Sequence, residues 1–237
     1  MSARPTGAVV LLSGGLDSTT VLALAAAAGR DTYALSFRYG QRHEVELTCA
    51  TRQARRFGAR AHEIVDLGHI GPLVATATSL VRGSPLAVPR DAVPGAGEIP
   101  STYVPARNTL FLAYALAWAE ALGAGEIWLG VNALDYSGYP DCRPEFIHAF
   151  QHLADLATRA GVEGRSIVVK TPLMQWTKSQ IVVAGHDLDV DYADTVSCYD
   201  PTVQGERVLA CGHCDSCQLR RQGFVQAGVA DPTCYVA

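Results

Sequence analysis

Ten residues from Leu11 to Thr20, "LLSGGLDSTT", decide the fold. They follow the apolar run Ala8-Val9-Val10 and precede "VLALAAAAG", so they read as strand, glycine-rich turn and helix start. That order is the grammar of a phosphate-binding loop, yet neither the P-loop string G-x-x-x-x-G-K-[ST] nor the dinucleotide string G-x-G-x-x-G occurs. Ser13, Gly14 and Gly15 leave the strand at its carboxyl end, where open α/β sheets bind ligands and helix N-termini offer free N–H groups to anions. Glycines there permit positive φ and close approach of an anion to the backbone. Asp17, Ser18, Thr19 and Thr20 add a cap candidate and three hydroxyls. Taken as S-G-G alone, the stretch reads equally well as an ordinary glycine turn.

Outward from this loop, strands and helices alternate. The pattern predicts strands at 7–12, 32–39, 60–67, 126–131 and 166–170, and helices at 18–28, 44–57, 109–122, 144–160 and 177–186. Such alternation implies α/β architecture, a doubly wound and mainly parallel sheet with helices on both faces. Two regions break the rhythm. Five of the 12 prolines fall between Pro85 and Pro105, which predicts a Pro-rich surface excursion spanning 78–106. After Asp187 the pattern dissolves into a Cys-rich tail. The expected organisation is an α/β domain over 1–190 and a small metal-binding region over 191–237 packed on it.

Composition agrees with one such domain. At 237 residues, 49% hydrophobic and 18% charged, the chain is long enough to bury a sizeable core. A net charge of −4 argues against broad nucleic-acid binding. The longest unbroken apolar run, residues 110–119, is too short for a membrane span, and the N-terminal apolar stretch is too short for a signal sequence. The expectation is a cytoplasmic protein with no membrane partner, whose seven cysteines are thiols or metal ligands rather than disulfides.

Four of those cysteines, Cys198, Cys211, Cys214 and Cys217, follow the spacing C-x12-C-x2-C-x2-C. Three thiolates on a tight turn and a fourth from a short loop suit a closed tetrahedral zinc site of structural character. An iron–sulfur cluster is the competing reading, but the ferredoxin continuation x3-C-P is missing. His213 lies inside the turn and is a reserve ligand. Cys49 reads as packing, and Cys142 has no histidine partner in sequence that would make it a nucleophile.

The longer string S-G-G-x-D-S, placed after a first strand, resembles the pyrophosphate loop of the ATP pyrophosphatase superfamily. That resemblance implies ATP broken between its α- and β-phosphates. Mg²⁺ and backbone N–H groups then take the role of a P-loop lysine. Five further strings narrow the resemblance. They are "FRYGQRHEVE" (37–46), "STYVPARNTLFL" (101–112), "GVNALDYSGYPDCRPEFI" (130–147), "TPLMQWTK" (171–178) and "CGHCDSC" (211–217). With the loop they resemble, in order and over nearly the whole chain, the 7-cyano-7-deazaguanine synthase family of queuosine biosynthesis. Departures are few. "VPARN" stands where the family often has "VPGRN", "SGGLDS" where it has "SGGQDS", and Asn132 and Leu134 replace Cys and Thr.

The resemblance implies an ATP-dependent ligase that joins ammonia to 7-carboxy-7-deazaguanine and yields the nitrile, binds structural zinc through the four cysteines, and forms a homodimer. By motif match the ATP loop is Leu12, Ser13, Gly14, Gly15, Leu16, Asp17, Ser18, Thr19, Thr20, Val21 and Leu22. The catalytic candidates are Ser13, Asp17, Ser18, Arg107 and Lys178, with Arg38 a further cation; Asp17 orients Mg²⁺ or the loop itself. A guanine-like edge presents two N–H donors that a carboxylate reads well, which makes Asp135, Tyr136, Tyr139 and Asp141 the expected base pocket. Related readings are an enzyme that stops at the amide or uses another acceptor, and a zinc nucleotide-binding module with an inactive loop. A tRNA-thiolating enzyme is disfavoured by the absence of a basic extension.

Overall fold

A computed structural model describes residues 7–91, 98–132, 138–205 and 207–236. Five parallel strands form the central sheet: β1 (Gly7–Leu11), β2 (Asp31–Arg38), β3 (Ala61–Asp66), β4 (Glu126–Trp128) and β5 (Val168–Lys170), in the order β3-β2-β1-β4-β5. Its middle strand β1 reads GAVVL and is buried on both faces, which explains why that stretch is continuously apolar rather than alternating. Val9 and Leu11 point to one core layer, and Ala8, Val10 and Leu12 to the other.

Each face is covered by helices. On the first lie α4 (Arg107–Leu122), which contributes Leu112, Ala115 and Ala119, and α5 (Pro144–Ala157), which contributes Ile147 and Phe150. The opposite layer takes Val21 and Leu22 of α1 (Leu16–Ala27), Ala50 and Ala54 of α2 (Glu46–Arg56), and Ile181 and Val182 of α7 (Lys178–Asp187). The sequence marks where several of these begin and end. Thr177 and Gln180 form a capping box at the start of α7, and Gly123, at φ 67, closes α4 in the left-handed conformation. Two short helices, α3 (Ile70–Val74) and α6 (Arg159–Val162), sit in connections. The helix expected to run unbroken to 160 instead stops at Thr158, whose extended backbone (φ −115, ψ 149) lets its hydroxyl cap α6 through Gly161 N–H.

Because β1 sends one crossover toward β2 and the chain later returns on its other side as β4, the order of strand addition reverses between the parallel strands β1 and β4. A crevice opens there at the carboxyl ends of the strands.

Two segments are more ordered than their composition predicts. The Pro-rich excursion buries Leu80, Val81, Thr102 and Val104, and Ser79 N–H donates to Ser101 O at 2.7 Å, so its two ends are pinned together. Residues 92–97 lie outside the described residues. The tail carries a hairpin, β6 (Thr202–Gln204) with β7 (Arg207–Leu209), and a 13-residue helix α8 (Asp215–Ala227). α8 packs along α7, with Phe224 fully inside the core. Arg220 on α8, 2% exposed, binds Asp231, Thr195 Oγ1 and the Tyr192 carbonyl. The helix escapes sequence reading because Arg220 and Arg221 stand where a buried apolar stripe would be sought, and the guanidinium of Arg220 is buried through hydrogen bonds instead.

Candidate active site and metal centre

At the β1–β4 crevice the loop from Leu12 to Ser18 forms the floor of a cavity. Gly14 has φ 89, and a Cβ there would overlap the Glu46 carbonyl at the start of α2, so only glycine fits. Gly130 performs the matching task on the β4 side, where a Cβ would crowd Ser18 N at 3.2 Å. Together they let both walls of the crevice close on the N-terminus of α1. That helix starts at Gly15 without a side-chain cap, leaving first-turn N–H groups for an anion. Ser13 is exposed at the mouth, its Oγ 3.0 Å from Ser18 Oγ and accepting Gly15 N–H at 3.3 Å.

The predicted loop residues divide by role. Ser13, Gly15, Asp17 and Ser18 line the cavity, as do the edges of Leu12 and Leu16. Val21 and Leu22 are core, and Thr20 Oγ1 donates to Leu16 O while meeting Tyr192 OH, both at 2.9 Å. Thr19 is buried with no partner for its hydroxyl among the described residues. Lys178, opening α7, reaches across to both oxygens of Asp17 at 2.8 and 2.9 Å. It is only 8% exposed, and so it is a cation built into the site rather than a surface lysine.

Arg107 enters from the start of α4. Its Nη1 donates to Tyr39 OH at 3.2 Å, and its guanidinium lies 5.9 Å from the ring centres of both Tyr39 and Phe111. The residue before it, Ala106, is held at φ 55, the left-handed region that glycine adopts freely. Arg38 does not reach the cavity; it forms surface ion pairs with Glu44 at 2.6 Å and Asp66 at 3.5 Å.

Of the expected base pocket, Tyr139 lines the cavity, its hydroxyl 2.6 Å from Thr102 Oγ1 and 3.4 Å from Tyr199 OH. Asp141 is buried, but its carboxylate accepts Asn108 N–H at 3.0 Å and holds the first turn of α4. Asp135 and Tyr136 lie outside the described residues. Cys142 receives a hydrogen bond from Asn108 Nδ2, and burial pushes its thiol up to about 12, which suits packing and not nucleophilic attack.

The cavity also gathers residues that the sequence reading used only as part of a string. Phe37 and Phe111 stack with ring centres 3.9 Å apart and 3° between planes, and Tyr199 faces His43 at 6.2 Å. His43 and Glu46, from "RHEVE", are 6% and 7% exposed. Burial pushes the Glu46 carboxyl up to about 8, opposed by Arg107 and the Gln41 hydrogen bond. It also holds the His43 imidazole down at about 4 and hence neutral. A histidine and a glutamate three apart just before a helix was the available signal.

Beside this cavity, Cys198, Cys211, Cys214 and Cys217 bring their sulfurs within 4.8 Å of one another, all buried. Backbone N–H groups point at these sulfurs: Cys211 N at 3.2 Å from Cys198 Sγ, and Cys214 N at 3.3 Å and His213 N at 3.5 Å from Cys211 Sγ. Four converging sulfurs with amide donors behind them fit a thiolate-bound tetrahedral metal. His213 takes no part, since its ring meets Asp91 at 3.1 Å and thereby ties the Pro-rich excursion to the cysteine turn. Ser197, Tyr199 and Ser216, each next to one of the cysteines, are part of the cavity wall, so the cysteine site shapes the pocket without entering it.

Comparison with known proteins places this arrangement. A family model described as queuosine biosynthesis protein QueC matches residues 7–228. The chain is 57% identical to 7-cyano-7-deazaguanine synthase of Geobacter metallireducens, over 96% of this chain and 92% of that protein. It is 58% identical to the synthase of Kineococcus radiotolerans, over 96% and 97%. Among solved structures, the NMN synthetase of Francisella tularensis superposes with a TM-score of 0.52 at 17% identity, covering 95% of this chain and 79% of that one. At that identity the likeness concerns the fold alone.

Proposed function

The chain belongs to the QueC family of queuosine biosynthesis proteins, and from that premise we propose that it is a 7-cyano-7-deazaguanine synthase, an ATP-dependent carbon–nitrogen ligase. The observation that carries the reading is the glycine loop at the β1–β4 crevice, with the N-terminus of α1 uncapped beside the ion-paired Lys178.

The chemistry runs in two adenylations. First the substrate carboxylate attacks the α-phosphorus of ATP, the bond to the β-phosphate breaks and pyrophosphate leaves. Ammonia then displaces AMP to give the amide. In the second round the amide oxygen is adenylated, and loss of AMP and a proton leaves C≡N. Charge builds on the α-phosphate and the departing pyrophosphate, and preorganised donors act best there. Ser13 and Ser18 hydroxyls and the N–H groups of Gly15 and the first turn of α1 cradle the pyrophosphate. Arg107 supplies positive charge from the α4 wall, and Lys178 acts from behind the loop through Asp17, whose carboxylate it holds. Asp17, with both oxygens on Lys178, orients the loop, and its remaining lone pairs would meet a Mg²⁺ whose other ligands the phosphates usually provide. One loop serves both rounds in turn.

The four cysteines would hold structural zinc, and residues 191–237 form the region it organises, packed on the nucleotide domain of 1–190. A homodimer, the cytoplasm and small-molecule partners only, with no nucleic acid, complete the reading. The test is incubation of the protein with ATP, ammonium and 7-carboxy-7-deazaguanine, reading products by mass. The nitrile with two AMP per product is expected. An amide end product would place the chain with enzymes that stop half-way, and ATP left intact would make it a binding module.

A further inference from the structure

One carboxyl in the cavity is unused by the nucleotide chemistry. Glu46 opens α2 on the wall opposite Arg107, and its Oε1 accepts one long hydrogen bond, from Gln41 Nε2 at 3.4 Å, with His43 Nε2 at 3.6 Å. Gln41 is itself fixed, accepting Tyr39 N–H at 2.8 Å and donating to Phe37 O at 3.0 Å, and so it steers the carboxyl without satisfying it. Among the described residues no further hydrogen bond reaches that carboxyl, and the buried His43 ring has only the Tyr199 backbone beside it, with no partner at full hydrogen-bonding geometry for Nδ1. Buried hydrogen-bonding capacity of this kind is costly unless a ligand completes it. The stacked pair Phe37 and Phe111 forms a flat apolar wall of the same cavity.

We propose that Glu46 selects the deazaguanine, its carboxylate accepting the ring N–H and the exocyclic amino group together. This rests on the function proposed above and names the residue that reads the base. The donor pattern distinguishes the two heterocycles present. A guanine-like edge offers two adjacent donors, matched to two carboxylate oxygens, whereas adenine places an acceptor beside its amino group and would face the carboxylate with a lone pair. Asp141, the alternative reader, already accepts the amide of Asn108.

Proton linkage gives the proposal a distinctive readout. The groups facing Glu46 are Arg107 from α4, His43 and Tyr39 from the β2–α2 connection, and Cys49 one turn along α2. Burial keeps the free carboxyl mostly protonated at pH 7, and two ligand donors favour its ionised form. Substrate binding therefore releases a proton.

The experiment is calorimetric titration at pH 7, in two buffers of different ionisation enthalpy. Wild type and Glu46→Gln are titrated with 7-carboxy-7-deazaguanine, its 2-deamino analogue and ATP. Wild type should release close to one proton with the substrate and prefer it to the analogue. Glu46→Gln should bind substrate about tenfold to a hundredfold more weakly, release no proton, lose the preference and bind ATP unchanged. Unchanged substrate affinity in the variant, weakened ATP affinity in its place, or no proton release from wild type would each overturn the assignment. Wild type that binds ATP but not the deazaguanine would overturn the proposed function itself.

Discussion

Lys178 Nζ grips both oxygens of Asp17, at 2.8 and 2.9 Å, and so joins the first turn of α7 to the phosphate loop across 161 residues of sequence. The pair is mostly buried, with side chains 8% and 17% exposed. Breaking one partner of such a pair leaves an uncompensated charge and costs about 3–5 kcal/mol, whereas replacing both with neutral groups of similar size is near neutral.

Lys178→Met and Asp17→Asn should therefore each unfold at clearly lower urea concentration, and the double variant should recover most of the loss. Pyrophosphate release should be abolished in all three. A double variant that is both stable and active would show that the pair is architectural alone.

Among the described residues, Ala106 is the departure from the family string that leaves a mark on the backbone. It sits at φ 55 immediately before Arg107, and left-handed geometry costs a residue with a Cβ about 1 kcal/mol relative to glycine. Ala106→Gly should raise stability by about that amount, or about 2–4 °C in Tm, with turnover unchanged. A lower Tm would mean that the glycine's extra freedom in the unfolded chain outweighs the relieved strain.

How much of this was legible in advance follows from locality. The glycine loop, the alternation of elements and the cysteine spacing are all written within a few residues, and the structure puts each where periodicity and turn chemistry expect it. Lys178 and Arg107 were reachable as cations in quoted strings, but their partners Asp17 and Tyr39 are far away in sequence, and pairing is invisible there. Arg38 shows the converse: a cation in the same string as His43 and Glu46 that turns outward to Glu44 because a strand's successive side chains alternate faces. Helix α8 was missed because its buried face uses Arg220 and a single Phe224 where an apolar stripe was sought.

Glu46 also carries a stability consequence that separates binding from folding. Its folded-state value of about 8 lies above the ordinary carboxylate value of 4.5, so the folded state favours the protonated form. The cost of ionising it is absent below pH 4.5, grows as pH rises through the window to about 8, and is constant above. Glu46→Gln should thus be more stable than wild type at pH 8, and the difference should shrink toward pH 5. Thermal unfolding across that range checks it. A pH-independent difference would mean that Glu46 is ionised throughout, held by Arg107.

Zinc is the last term, and the structure narrows what its removal should do. The cysteine region is held by two devices that meet at the first turn of α8: the converging sulfurs of Cys198, Cys211, Cys214 and Cys217, and the docking of the rest of α8 through Phe224 and the Arg220–Asp231 pair at 3.1 Å. Structural zinc in isolated peptide sites is worth about 10–16 kcal/mol of apparent binding energy. With the four cysteines stripped of metal, the segment from Ser197 to Ser216 should come free while the body of α8 stays anchored on α7. Because Ser197, Tyr199 and Ser216 are part of the cavity wall, activity should fall before the fold does. Cys214→Ser, or wild type treated with chelator, should keep most of its helical circular-dichroism signal, become protease-sensitive between Cys198 and Cys217, and lose turnover. Elemental analysis of untreated protein should find about one zinc per chain and no visible absorption. Iron, sulfide and a brown colour would replace zinc by a cluster. Wholesale loss of helicity on chelation would show that α8 depends on the metal and that Phe224 and Arg220 do not hold it alone.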